Sequence, residues 1–204
     1  MSTATIPCEA IPGSALFRHL STVAGIGVDL RYASADNFVG RDLYSPLDCA
    51  WLHRDAAAAL ERAVAWLSAA RPDYRLLVLD ALRPQRVQEQ LWASLQGTDL
   101  LMYLAPPERG SIHSFGMALD LTITDAAGRE LDMGTGFDDL TLLSHPAKEA
   151  EHLANGALRA EHVANRDLLR AAMQAAGFVG ISTEWWHYDC GDRVQVRASY
   201  PRVL

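Results

Sequence analysis

The sequence predicts an α+β fold, and three observations carry that expectation. Segments with helical periodicity and segments with strand character interleave along the 204 residues, but without a regular strand-helix-strand repeat. No glycine fingerprint of the dinucleotide-binding kind accompanies them. The tail from Glu184 to Tyr200, "EWWHYDCGDRVQVRASY", looks like two strands around a Gly191-Asp192 turn. A chain of this length suits one compact domain, here residues 1–204, and is long enough to bury a core.

The elements follow in order. "DAAAALERAVAWLSAA" opens on Asp55 as N-cap and sets Leu60, Ala63, Val64 and Leu67 at helical spacing, which predicts a helix with one buried face. After the "RPDY" break, "RLLVLDAL" is a continuous apolar run of strand formers. Pro84 then suits the first position of a helix carrying Val87, Leu91 and Leu95, so Arg83 falls at a strand-to-helix junction. "MALDLTIT" predicts a strand ending in the turn "DAAGRE". Asn165 to Ala176 predicts a helix with Leu169, Ala172, Met173 and Ala176 on one face and Gly177 as its stop. "EHLAN" and "EHVAN", from Glu151 and Glu161, are too short to mark a repeat; local helical similarity accounts for them.

Composition narrows the partners. Half of the residues are apolar, which argues against disorder. A net charge of -7 with no Lys/Arg-dense stretch argues against nucleic acid or an anionic membrane surface, and favours a small or peptidic substrate. The N-terminal stretch "MSTATIPCEAIPGSALF" lacks the pattern of a leader, and no run reaches membrane-spanning length, so a cytoplasmic protein is expected. Cys8, Cys49 and Cys190 are odd in number and widely spaced, and they read as structural thiols.

Asp120 stands out inside an apolar run. On a strand from Met117, Ala118, Asp120 and Thr122 share one face, while Met117, Leu119, Leu121 and Ile123 line the other. Ala and Thr are poor company for a solvated carboxylate, so a sheltered one with a specific partner is the better reading. A turn permitted by Gly116 can bring His113 back to meet it at a metal ion, although a hydrogen-bonded structural pair would give the same pattern. "TEWWHYD" adds His187 as a third candidate ligand and Glu184 as a spare carboxylate. Three protein ligands and an open position are what a catalytic zinc requires. On a regular strand Glu184 and His187 would face opposite ways, which puts Glu184 at a bend or at the strand's entrance. At least one of Trp185 and Trp186 reads as core. Arg83 can bind a carboxylate or polarise a carbonyl from a rigid strand end.

Together these residues resemble the zinc D-alanyl-D-alanine dipeptidases of the vancomycin-resistance type, within a wider group of zinc D,D-peptidases and lysostaphin-like enzymes. The likeness runs from "DLRYASADNFVG" through "LRP", "SIHSFGMALDLT" and "MGTGFD" to "ANRDLLRAAMQAAGF" and "EWWHY". It implies an α+β fold with helices on a mainly antiparallel sheet that carries the metal. It further implies one Zn²⁺ per chain held by His113, Asp120 and His187, with Glu184 as catalytic base and Arg83 assisting the reacting carbonyl. Ser111 becomes a candidate for orienting a small D,D-dipeptide substrate, and Asp138 a candidate for its ammonium; capping is the plainer role for Asp138 and Asp139. Two departures bear on substrate choice. Phe115 stands where the family usually has an arginine, and Ala81-Leu82 where it has a glycine-tyrosine pair. A carboxypeptidase or wall-peptide hydrolase of the same group is the nearest alternative, and a non-catalytic zinc-binding relative the more distant one.

Overall fold

The computed structural model describes residues 4–204; the first three residues of the N-terminal stretch read above lie outside them. In chain order the strands and helices are β1 (Thr5–Ile6), β2 (Phe17–His19), β3 (Ile26–Val28), β4 (Trp51–His53), α1 (Arg54–Ala70), β5 (Arg75–Asp80), α2 (Gln85–Ser94), β6 (Ala118–Thr124), α3 (Glu149–Ala154), α4 (Ala160–Ala175), β7 (Phe178–Gly180), β8 (His187–Cys190), α5 (Arg193–Ser199) and β9 (Arg202–Val203). The main sheet has the order β3-β5-β6-β8-β7, and only the β3-β5 pairing is parallel. The α+β expectation with a mainly antiparallel sheet holds. No helix among the described residues is long and apolar enough to cross a membrane.

β6 is the middle strand, and all seven of its residues are buried. Leu119, Leu121 and Ile123 join Leu60 and Leu67 of α1 and Leu169 of α4 in one apolar cluster, at about 1.5–3 kcal/mol for each fully buried side chain of this kind. That packing leaves the opposite row of β6 to polar work. Neighbouring pairs line up there: Asp80 of β5 stands opposite Asp120 of β6, and Asp120 opposite His187 of β8. Residues directly opposite on antiparallel strands share a face. The Asp80 pairing depends on a bulge, since the register shifts between Val78 and Asp80.

Several boundaries differ from expectation. His53, not Asp55, caps α1: its Nδ1 accepts from the Asp55 N–H at 3.2 Å, and Asp55 lies in the first turn. Pro84 precedes α2 as its cap residue instead of opening it. α4 begins five residues before Asn165, where the Arg159 N–H donates to His162 Nδ1 at 3.2 Å. The larger correction is in the tail, where one strand, β8, is followed by a helix. Asp192 Oδ1 accepts from the N–H groups of Val194 and Gln195, at 3.0 and 2.9 Å, and so starts α5. The alternation of Val194 and Val196 imitates a strand, but only Val196 is buried while Val194 is exposed.

Gly116 closes the turn Ile112–Phe115 in the left-handed region, at φ 64°. A Cβ there would lie 2.7 Å from the His53 backbone nitrogen and 3.0 Å from Phe17 Cε1. Conformation and space both require glycine. Gly116→Ala should therefore lower unfolding free energy by about 1–3 kcal/mol, which a denaturant titration of both proteins will read; an unchanged midpoint would contradict this account.

Candidate metal centre and active-site cleft

Three donors converge above the polar row. His187 Nδ1 lies 2.9 Å from Asp120 Oδ1 and 3.1 Å from His113 Nε2, and His113 Nε2 lies 3.4 Å from Asp120 Oδ1. Tetrahedral ligands about 2.0–2.2 Å from a zinc-sized ion stand roughly 3.3–3.6 Å apart, so the donor triangle needs little adjustment to take one. Each imidazole is also held from behind. His113 Nδ1 faces the Ala81 carbonyl oxygen at 2.8 Å, and His187 Nε2 faces Asp189 Oδ1 at 2.9 Å. Such partners fix the tautomer and aim the other nitrogen at the metal.

The charge balance points the same way. Burial disfavours the Asp120 carboxylate, but His113 and His187 outweigh it and hold the group well below the usual carboxylate range. Burial likewise opposes charge on His187, yet Asp189 and Asp120 push that imidazole up to about 10. The cluster attracts positive charge, which a divalent cation would supply.

Arg83, at the β5-α2 junction, is engaged on several sides. Its Nε and Nη2 both donate to Asp80 Oδ2, at 2.9 and 2.6 Å, Nη2 also reaches Asp120 Oδ2 at 3.3 Å, and Nη1 donates to Gln88 Oε1 at 3.3 Å. Asp80 is fixed in turn by the Tyr44 hydroxyl and the Ala81 N–H. The guanidinium sits 5.0 Å from the centre of the Tyr32 ring. Of its five N–H bonds, one on Nη1 is left for a ligand.

The cleft over these groups encloses about 210 Å³ and is lined by Arg83, Ser111, His113, Asp120, Asp138, Glu184 and His187 among others. Every site residue singled out in the sequence therefore reaches one cavity. Glu184 lies three residues before β8, separated from it by a bend at Trp185 and Trp186, and its carboxylate makes no hydrogen bond within the described protein. Burial pushes it up to about 7. Among the described residues Asp138 is the non-glycine residue with positive φ, at 60°. It accepts from the Tyr32 hydroxyl at 3.1 Å through Oδ1, while Oδ2 is buried without a partner among the described residues. Burial raises its carboxyl well above the ordinary range.

Sequence reasoning missed four supporting residues. Asp80, Asp189, Tyr32 and Tyr44 contact the site residues directly or at one remove. Asp80 carries the same signal as Asp120, a carboxylate interrupting an apolar run. The two departures do not line the cleft. Phe115, Ala81 and Leu82 are fully buried and absent from its lining, and Ala81 takes part through its backbone oxygen alone. Both tryptophans are buried, Trp185 donating to Thr135 Oγ1 at 2.8 Å, while Trp186 also borders the cleft.

A buried donor triangle beside an unbonded carboxylate and a charged arginine equips a metallopeptidase, and sequence comparison gives the same class. Residues 15–204 match the peptidase family model described as D-ala-D-ala dipeptidase, and the chain belongs to that family. It is 38% identical over 174 residues to a D-alanyl-D-alanine dipeptidase of Escherichia coli (strain K12), covering 85% of this chain and 81% of that one. It is 34% identical over 187 residues to one of Streptomyces coelicolor and 32% identical over 189 residues to one of Enterococcus faecium, each alignment covering 81% of this chain and 86% of the relative.

The geometry predicts graded effects on metal content. His113→Ala and His187→Ala should each show strongly reduced metal by elemental analysis. Asp189→Ala, which leaves all three donors in place, should weaken metal affinity roughly 10- to 100-fold in a chelator competition. Full occupancy in both histidine variants would refute the ligand set.

Proposed function

We propose that this chain is a zinc-dependent hydrolase of D-alanyl-D-alanine, with one Zn²⁺ held by His113, Asp120 and His187 and with Glu184 as general base. The observation that carries the reading is the Glu184 carboxylate, unbonded and raised to about 7, in the same cleft as the donor triangle. The names of the relatives support the substrate. A cavity of 210 Å³, below the roughly 300–1,000 Å³ of drug-sized sites, favours a dipeptide over a long wall peptide. The whole chain, residues 1–204, is proposed as one peptidase domain. A cytoplasmic setting belongs to the same proposal, supported by free thiols at Cys8, Cys49 and Cys190.

Bound zinc supplies a Lewis acid and lowers the pKa of water. The protein's own groups then divide the labour. Glu184 takes the proton of the attacking water and delivers it to the leaving amine; a base titrating near neutrality suits both transfers. Arg83, kept charged by Asp80 despite its burial, directs its remaining Nη1 hydrogen at the oxygen on which charge develops. The unpartnered Oδ2 of Asp138, with the Tyr32 hydroxyl beside it, receives the substrate ammonium, and the new pair offsets the cost of burying both charges. Ser111 borders the same cavity and orients the dipeptide by hydrogen bonding.

Glu184→Gln should keep its zinc and lose ~100- to 10,000-fold in turnover; loss of zinc would make Glu184 a ligand instead. The sign of the pH effect follows from the required charge. The base works deprotonated and its carboxyl is raised, so kcat/KM should fall as pH drops through about 7, or through a lower pH when zinc's charge favours the anion, in a steady-state pH profile.

Substrate length is tested separately. Acetylation of the dipeptide's amine removes the charge proposed to meet Asp138, so N-acetyl-D-Ala-D-Ala should not be cleaved. Asp138→Asn, a residue type that tolerates the left-handed backbone, should raise KM for the free dipeptide. Equal cleavage of blocked and free dipeptide would replace the dipeptidase reading with a carboxypeptidase of the same group.

A further inference from the structure

The cleft is electrically lopsided. Asp138 stands beside Tyr32 and Arg83, whereas Arg109, Arg193 and Arg197 border the cavity elsewhere. His187 relates the two regions: its Nδ1 faces the donor triangle and its Nε2 faces Asp189, so the imidazole ring lies between the metal centre and that carboxylate. Asp189 Oδ2 in turn accepts from Arg193 Nε. That contact fixes the stem of the Arg193 fork and leaves both terminal nitrogens without a protein acceptor among the described residues. Arg109, in the segment leading to Ser111, is exposed, and its side chain makes no hydrogen bond there; its backbone oxygen accepts from Arg202 Nη2 at 3.2 Å. Arg197 backs this wall, its Nε donating to the Gly110 carbonyl oxygen at 3.1 Å. Two guanidinium groups with open terminal N–H donors therefore line the side of the cleft marked by Asp189.

We propose that Arg109 and Arg193 form a carboxylate subsite that receives the C-terminal carboxylate of the substrate's leaving residue, so that the enzyme selects peptides ending in a free acid. The inference rests on the hydrolase reading above and adds the group that recognises the second end of the substrate. A zwitterionic dipeptide spans at most about 7 Å, and its scissile carbonyl lies between its two charges. With the ammonium on Asp138 and the carbonyl at the metal centre, the carboxylate points past His187 toward the arginines. Guanidinium donors match a carboxylate in planar, paired geometry, and Asp189 holds one of them by its Nε while sparing the Nη pair.

The test compares a ligand with its own amide. Zinc-loaded Glu184→Gln protein is titrated calorimetrically with D-Ala-D-Ala and with D-Ala-D-Ala carboxamide, then the same is done with Arg109→Gln and Arg193→Gln added. The acid should bind about tenfold or more tightly than the amide in the parent. The ratio should fall toward one with the two glutamines and recover in part in Arg109→Lys/Arg193→Lys. Similar affinity of every protein for the amide shows that the fold and metal site are intact. Should the double variant fold poorly, Arg109→Gln alone, which removes an exposed side chain without a hydrogen bond, should still lower the ratio. A parent ratio near one, or a ratio unchanged by the glutamines, overturns the subsite. Failure of the wild type to hydrolyse D-Ala-D-Ala would instead overturn the hydrolase reading, and the binding ratio would still decide the role of the arginines.

Discussion

Two carboxylates facing each other across adjacent buried strands repel, and the site stands on the way this repulsion is resolved. Asp80 and Asp120 are register partners, and the Arg83 Nη2 reaches both, at 2.6 and 3.3 Å. Removing one partner of such a buried set would leave an uncompensated charge, at a cost of about 3–5 kcal/mol. The arginine is thereby held in place before any substrate arrives. Asp120 keeps its other oxygen for the imidazoles. One guanidinium thus allows a carboxylate to remain charged inside the sheet while still presenting a lone pair to the cleft.

The remaining ligand geometry follows from sheet construction. His187 needs no special loop, because antiparallel pairing of β6 with β8 sets it opposite Asp120. His113 does need one, and Gly116 closes it. The loop is anchored to the rest of the fold by backbone bonds: the His53 N–H donates to the Gly116 oxygen at 2.9 Å, and the Arg83 N–H to the His113 oxygen at 3.3 Å. The donors rest on rigid elements and second contacts, so pre-organisation here is a property of the backbone as much as of the side chains.

What the sequence disclosed depended on whether the deciding contact was local. Asp120 was conspicuous because its own strand was otherwise apolar, and Glu184 because it was a spare carboxylate beside a candidate ligand, its three-residue offset from His187 placing it at a bend or the strand's entrance. Asp80 satisfied the same test, but the Tyr44 partner that makes its burial tolerable lies 36 residues upstream, where no periodicity points to it. The tail misled for the opposite reason. Its valines alternate as a strand's would, and a single cap at Asp192 prevailed over a two-residue pattern. Asp138 was found by family likeness, while its left-handed backbone, fixed by surrounding packing, had no signature in the letters around it.

The bulge in β5 carries a consequence for how this chain can vary. Up to Val78 the strand pairs with β6 in one register, and by Asp80 it has gained a residue. Were that residue deleted and the regular ladder restored, the aspartate could stay opposite Asp120 only by taking over the place of Leu79. Were the ladder straightened without deletion, Leu79 would face Asp120 and the aspartate would slide on to Leu119. Identity at position 80 is therefore insufficient; the count of residues before it is constrained as well. Insertions and deletions should be filtered far more severely in this strand than in the exposed turn after Thr124, and homologues of different length should place their gaps accordingly.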